Sequence, residues 1–212
     1  MTRLAIENAR ARAEKAASKV REQERKIEKS AKVLKQQGDD LVAMKNLAYV
    51  DSLTNVKNKL AYDDTVEYIN EKIRNGTAEF AVIMCDLNYL KHINDNLGHI
   101  AGDEAIQKTA SILCKAFPLS TVFRIGGDEF AVIPTGLDYA RIDEKLDALK
   151  EMLESQRDIS DNYLERISLA FGCAVFERGK DTSYQEVFER ADKIMYEEKK
   201  KIHEKDGILT DR

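Results

Sequence analysis

Two apolar, strand-forming runs, Thr121 to Ile125 and Phe130 to Ile133, are separated only by Gly126-Gly127-Asp128-Glu129. Runs this close together have no room for a crossover, so they reverse on one another as a hairpin and commit any sheet they join to at least one antiparallel pair. Glycine is expected at such a reversal because it accepts a positive φ. It also lets a bulky ligand approach the backbone closely, a second use open to Gly126 and Gly127. Gly-Gly in a turn is by itself ordinary hairpin chemistry, and the acidic pair that follows it asks for more.

Around the hairpin, strand-like and helix-like segments alternate. Asn58 to Arg74 reads as a helix with Leu60, Val66, Ile69 and Ile73 on one face, ended by Asn75-Gly76. The run from Phe80 to Cys85 is short, apolar and rich in strand formers, as a buried central strand should be, and Asp86 stands at its C-terminal end. A helix follows over Asp103 to Ala116, with Ala105, Ile106, Ala110, Leu113 and Cys114 turned inward and Pro118 beyond it. Arg141 to Met152 predicts another amphipathic helix, Ile167 to Val175 another strand, and Tyr184 to about His203 a final helix. This order predicts an α/β fold with a mixed, largely antiparallel central sheet flanked by helices. Tyr62, Phe80, Phe123, Phe171 and Phe176 are expected in its core.

Asp86 and the pair Asp128-Glu129 both fall at strand ends. If those strands are neighbours, the carboxylates meet on one edge of the sheet. Clustered carboxylates repel unless a cation joins them, and hard oxygen ligands suit Mg²⁺ or Mn²⁺. Mg²⁺ takes one or two carboxylates and lets substrate phosphates complete its shell, so the arrangement asks for a nucleoside triphosphate. The stretch from Asp86 to Asp103 is dense in amide, carboxylate and glycine. Asn and Asp side chains together can read a purine edge, the carboxylate accepting from guanine N–H groups and the amide matching its donor and acceptor atoms.

Residues 1–50 differ in kind. They contain no proline, one glycine at position 38, and many good helix formers, which predicts one long helix ahead of a domain beginning near residue 51. Ile6, Ala13, Val20, Ile27, Leu34 and Leu41 recur every seven residues, the spacing of a left-handed coiled-coil seam. The second seam, Ala9, Ala16, Gln23, Ser30, Gln37 and Met44, is poor, so a dimer through this helix would be weak or adjustable. A solvated single helix is the alternative, and Gly38-Asp39-Asp40 marks a stutter.

A net charge of -4 gives no overall reason to bind nucleic acid or an anionic membrane, so phosphate must be held by local lysines or a metal. No run approaches the roughly 20 apolar residues that span a bilayer, and the charged N-terminus lacks a signal-peptide core, which predicts a cytoplasmic chain without direct membrane contact. Cys85, Cys114 and Cys173 are an odd, widely spaced set in apolar runs, expected as reduced core residues.

Four blocks carry a family resemblance: Asp51-Ser-Leu-Thr-Asn-Val-Lys-Asn58, the stretch Asp86 to Asp103, Gly126 to Phe130, and Ala191-Asp-Lys-Ile-Met-Tyr-Glu-Glu-Lys199. In order and content they resemble those of GGDEF-domain diguanylate cyclases. The resemblance implies a catalytic domain over residues 51–205, a short tail over 206–212, and a fold similar to the palm of nucleotidyl cyclases and polymerases. It implies condensation of two GTP to cyclic di-GMP and pyrophosphate between two domains facing each other across a two-fold axis. By position, Asp86, Asp128 and the Leu87 carbonyl would bind the divalent ions. Asp128 or Glu129 would help take the proton from the attacking hydroxyl. Asn94 and Asp103 would recognise guanine, while Lys199, the N–H groups of Tyr89 and Leu90, and Lys91 lie where the substrate phosphates bind. His99 more often shapes its loop than touches ligand. A degenerate domain that binds GTP or cyclic di-GMP as a receptor, or a dimerisation module, is the alternative function.

Several positions depart from the family pattern. Asn88 stands for a usual Asp, Asn55 for Gly, Lys59 for Arg, and His203 for an Arg that follows the closing-helix lysine. A point charge replaces a planar fork at Lys59, and His203 is mostly neutral at pH 7. Phe117-Pro-Leu-Ser120 replaces the family's Arg-x-x-Asp product-inhibition element, so no product-inhibition site is expected there.

Overall fold

The computed structural model describes residues 3–157 and 166–206. It divides into two compact units, Met1–Ala48 and Tyr49–Arg212. The first is a single helix, α1 (Arg3–Ala48), which runs through Gly38 without interruption. Of the heptad positions, Val20, Ile27, Leu34, Leu41 and Met44 are exposed on the single chain. The side chains of Ile6, Ala9, Ala13 and Ala16 lie outside the described residues, as does the tail beyond Asp206.

The second unit begins with α2 (Lys59–Arg74), which starts where the Asn58 side chain accepts the N–H of Ala61 at 3.2 Å. Gly76 follows it with φ 67°. Next come β1 (Ala81–Leu87), α3 (Leu90–Leu97), α4 (His99–Ala116), β2 (Thr121–Arg124) and β3 (Glu129–Ile133). The remaining described elements are α5 (Gly136–Ala140), α6 (Ile142–Arg157), β4 (Leu169–Val175) and α7 (Tyr184–Asp206). The strands form one sheet in the order β2-β3-β1-β4, each neighbouring pair antiparallel.

Period-2 alternation sends the sheet's side chains into two cores. Val82, Met84, Ala131, Ile133, Ala170 and Ala174 meet α2 and α7, while Ile83, Cys85, Leu87, Phe130, Val132 and Leu169 meet α4 and α6. The α7 helix lies directly on β4. A Cβ on Gly172 would stand 2.2 Å from the Ala191 carbonyl oxygen and 2.3 Å from the Met195 nitrogen. Tyr184 stacks on Phe80 at one end of β1, with ring centroids 5.9 Å apart, and His203 reaches Asn88 at the other. So α7 spans the central strand from end to end.

Several expectations change. The stretch after Asp86, for which no element is predicted, holds α3, and α4 begins at His99 rather than Asp103. Cys114 is exposed, because the inward arc of α4 is filled by Ala105, Ile106, Thr109, Ala110, Ile112 and Leu113. Cys85 alone of the three cysteines is fully buried, and Cys173 is half-buried. Leu60 is also exposed, since Ala61, Tyr62 and Ile69 form the buried face of α2. Phe171 is half-buried at the edge of its core.

Candidate functional site

The pairing of β1 with β3 sets Asp86 opposite Glu129, and the Leu87 N–H donates to the Asp128 carbonyl at 2.9 Å. The three acidic residues predicted at strand ends are therefore neighbours at one end of the sheet. Asp86 is only 6% exposed. Its Oδ1 accepts no hydrogen bond, and the Lys199 ammonium, reaching in from α7, forms an ion pair with it at 2.7 Å without hydrogen-bond alignment. Burial raises the Asp86 carboxyl above the usual range; Lys199 opposes the shift, while Asp128 and Glu129 add to it. Asp128 is half-buried and Glu129 exposed.

The turn itself is built differently from the expectation. Neither Gly126 nor Gly127 has a positive φ. Instead, the N–H groups of Ile125 and Gly126 both donate to the Glu129 carbonyl, at 3.0 and 3.3 Å. A Cβ on Gly126 would lie 2.5 Å from Glu129 Oε2, so any larger residue there would make that carboxylate move. A Cβ on Gly127 would meet nothing within 4 Å, leaving an open surface beside the carboxylates.

Arg124, which the sequence reading did not single out, holds this turn. Its Nη2 donates to the Gly127 carbonyl at 2.8 Å and its Nη1 to both Asp51 oxygens at 3.2 and 3.3 Å. Asp51 also accepts the N–H and hydroxyl of Thr54, at 2.9 and 2.6 Å. Burial works against ionisation of Asp51, but Thr54 and Arg124 outweigh it and its carboxyl titrates below the usual range. Asn55 closes the loop at φ 59°, a left-handed conformation that Asn tolerates better than most residues. The signal available in the sequence was an arginine ending an otherwise apolar strand.

The two candidate guanine readers sit on adjacent helices joined at Gly98, φ 86°. Asn94 is half-buried on α3 and Asp103 exposed on α4. A Cβ on Gly102 would stand 2.0 Å from Asn94 Oδ1. Gly102→Ala is therefore expected to leave the fold intact, since alanine favours a helix by about 1 kcal/mol over glycine and the Asn94 side chain can rotate away. If Asn94 reads guanine, the displaced amide should weaken GTP binding by about tenfold or more and narrow its margin over ATP. Nucleotide titrations beside a thermal melt check this.

Past β1, the backbone that would face phosphates is tethered to α7. Asn88, 1% exposed, donates to Ser168 Oγ at 3.1 Å and accepts from His203 Nε2 at 3.2 Å. Tyr89 adopts φ 65°, stacks on His203 at 4.8 Å and donates to Asp206 at 2.8 Å. Asp206 pairs with Arg166 at 3.3 Å. Burial, and then Lys199, lower the His203 pKa. Asn88 and His203 thus touch each other. Leu90 and Lys91 open α3, where the helix itself supplies no acceptor for their N–H groups, and the Lys91 side chain is exposed. At the segment Phe117 to Ser120, the Leu119 N–H and the Ser120 hydroxyl donate to the buried Asp138, at 3.0 and 2.8 Å.

Among the described residues no three His, Cys, Asp or Glu side chains form a closed metal cage. The donors present, neighbouring carboxylates of which the buried one is already drawn to a cation, the Lys199 ammonium, fit a hard divalent ion whose shell a substrate completes.

The family model for diguanylate cyclase, GGDEF domain, matches residues 48–205. A probable diguanylate cyclase, DgcI of Escherichia coli, is 32% identical over 76% of this chain, and the diguanylate cyclase TpbB of Pseudomonas aeruginosa is 29% identical over 74%. The chain spans only 33% and 37% of those relatives' own lengths. Among solved structures, the coiled coil and GGDEF domain of DgcB from Caulobacter crescentus, in complex with c-di-GMP, aligns with a TM-score of 0.66 at 26% identity. That match covers 84% of this chain and 94% of that one. The diguanylate cyclase SiaD from Pseudomonas aeruginosa, solved with its activator SiaC, aligns with a TM-score of 0.72 over 93% of this chain and 76% of that one. At 19% identity that likeness concerns the fold.

Proposed function

The chain belongs to the diguanylate cyclase GGDEF domain family, and from that premise we propose that it condenses two molecules of GTP into cyclic di-GMP. The observation that carries the proposal is the acidic edge: Asp86 register-paired with Glu129, Asp128 beside them, and Lys199 at hand. Asn94 and Asp103 bind guanine, the amide and carboxylate matching its edge. Lys199, Lys91 and the N–H groups of Tyr89 and Leu90 hold the phosphates at the start of α3. Asp86, Asp128 and the Leu87 carbonyl would hold Mg²⁺ or Mn²⁺, which when bound neutralises phosphate charge and acidifies a nearby hydroxyl.

The reaction forms two bonds and breaks two. Each ribose 3′-oxygen joins the α-phosphorus of the other nucleotide, its proton passing to Asp128 or Glu129, and each α–β phosphoanhydride breaks to release pyrophosphate. One domain holds one GTP, so the open face at Gly127 must meet a second copy across a two-fold axis. The N-terminal helix supplies the pairing through its exposed heptad residues. It sets the local concentration of one catalytic domain near the other.

The test is incubation with GTP and Mg²⁺ and identification of the product. Cyclic di-GMP with pyrophosphate is expected. Bound but unconverted GTP would make the chain a receptor, and no nucleotide binding would leave a dimerisation module. Removing residues 1–48 should make the rate fall steeply on dilution. An unchanged rate at low protein concentration would remove the helix from the mechanism.

A further inference from the structure

The protein brings a cation of its own to the acidic edge. The Lys199 ammonium lies 2.7 Å from Asp86 Oδ1, in a pocket where Asp86 is 6% exposed. That oxygen accepts no hydrogen bond, and Lys199 is its one ion-pair partner among the described residues. The cyclase reading, on which this inference rests for the identity of the ligands, asks Lys199 to hold phosphate and Asp86 to hold a divalent ion. A metal and an ammonium cannot both crowd the same buried oxygen without strong mutual repulsion.

We propose that Lys199 is an exchangeable cation, which neutralises Asp86 before ligands bind and swings to the nucleotide phosphates when a divalent ion replaces it. The side chain is built for such a move. It is a compact charge on a flexible four-carbon stem, 30% exposed, rooted on a helix whose next turn is anchored by the His203 contact to Asn88. The backbone stays in place while the ammonium travels. Phosphates offer it a new partner and lower the cost of leaving Asp86, so triphosphate and metal each strengthen the other's binding. Metal alone must evict the lysine without compensation and binds weakly.

The experiment titrates Mn²⁺ into the nucleotide-free full chain and follows free Mn²⁺ by electron paramagnetic resonance. Wild type and Lys199→Arg, which keep a cation at this position, should bind weakly. Lys199→Met and Lys199→Gln should bind about tenfold more tightly, because no resident charge has to leave. A GTP analogue with a methylene between the α and β phosphorus should tighten Mn²⁺ binding in wild type by a much larger factor than in either neutral variant. Equal or weaker Mn²⁺ binding by folded Lys199→Met overturns the proposal. So does an Mn²⁺-induced rise in melting temperature no larger in that variant than in wild type. None of these readouts needs turnover. A wild type that binds Mn²⁺ and the analogue cooperatively yet forms no product defeats the cyclase reading alone. Turnover without tighter Mn²⁺ binding in Lys199→Met defeats the exchange alone.

Discussion

Asp128→Ala is expected to lower cyclic di-GMP formation by about a thousandfold or more while leaving the melting temperature nearly unchanged. The two halves of that expectation have separate causes. Asp128 serves the fold through its backbone carbonyl, which accepts the Leu87 N–H at 2.9 Å and which alanine retains. Its carboxylate is half-buried and makes no hydrogen bond or ion pair among the described residues, so the folded state has little to lose. Chemistry loses far more. One of the two side chains proposed to hold the divalent ion disappears, together with a candidate acceptor for the 3′-hydroxyl proton. Product measured chromatographically beside a thermal melt separates the two effects. A variant turning over within about tenfold of wild type would show that this carboxylate is not at the reacting centre.

Much of this site was legible in the sequence because its residues sit where strong local patterns end. The apolar runs of β1 and β3 were clear, so Asp86 and Asp128-Glu129 were placed at strand ends before any pairing was known. Their meeting needed only the hairpin and one strand neighbour. The α3 helix was hidden by composition: Asn94, Asp95 and Asn96 are poor helix formers, and eight residues give little periodicity to read. Its apolar positions Leu90, Ile93 and Leu97 nevertheless keep helical spacing. The reason for Gly126 lay beyond the sequence for a different cause. Gly126, Gly102 and Gly172 all answer to a neighbour's atoms rather than to their own φ, and those neighbours are unknown until the chain is folded. The same holds for Arg124 and Asp51, and for Asn88 and His203. These pairs lie far apart in sequence and close in space.

Gly172→Ala carries the largest expected effect on stability, about 3 kcal/mol or more. The added Cβ would lie 2.2 Å from the Ala191 carbonyl oxygen, 2.3 Å from the Met195 nitrogen and 2.9 Å from the Ile194 carbonyl carbon. All three are backbone atoms, so no rotamer change relieves the contact. Either α7 lifts from β4 or β4 shifts within the sheet, and Val187, Ala191 and Met195 lose their close packing. For a unit of this size the melting temperature should fall by roughly 10 °C. The damage should also reach the proposed active site in molecules that remain folded. Lys199 and His203 lie on the same helix, about two and three turns beyond Ala191, and they meet Asp86 and Asn88 only because α7 lies against the sheet. A lifted helix withdraws the lysine from Asp86 and the imidazole from Asn88 together, so the rate per folded molecule should fall with stability. A melting temperature within about 2 °C of wild type would mean that α7 has slack over β4, and the lysine's reach to Asp86 would then need another anchor.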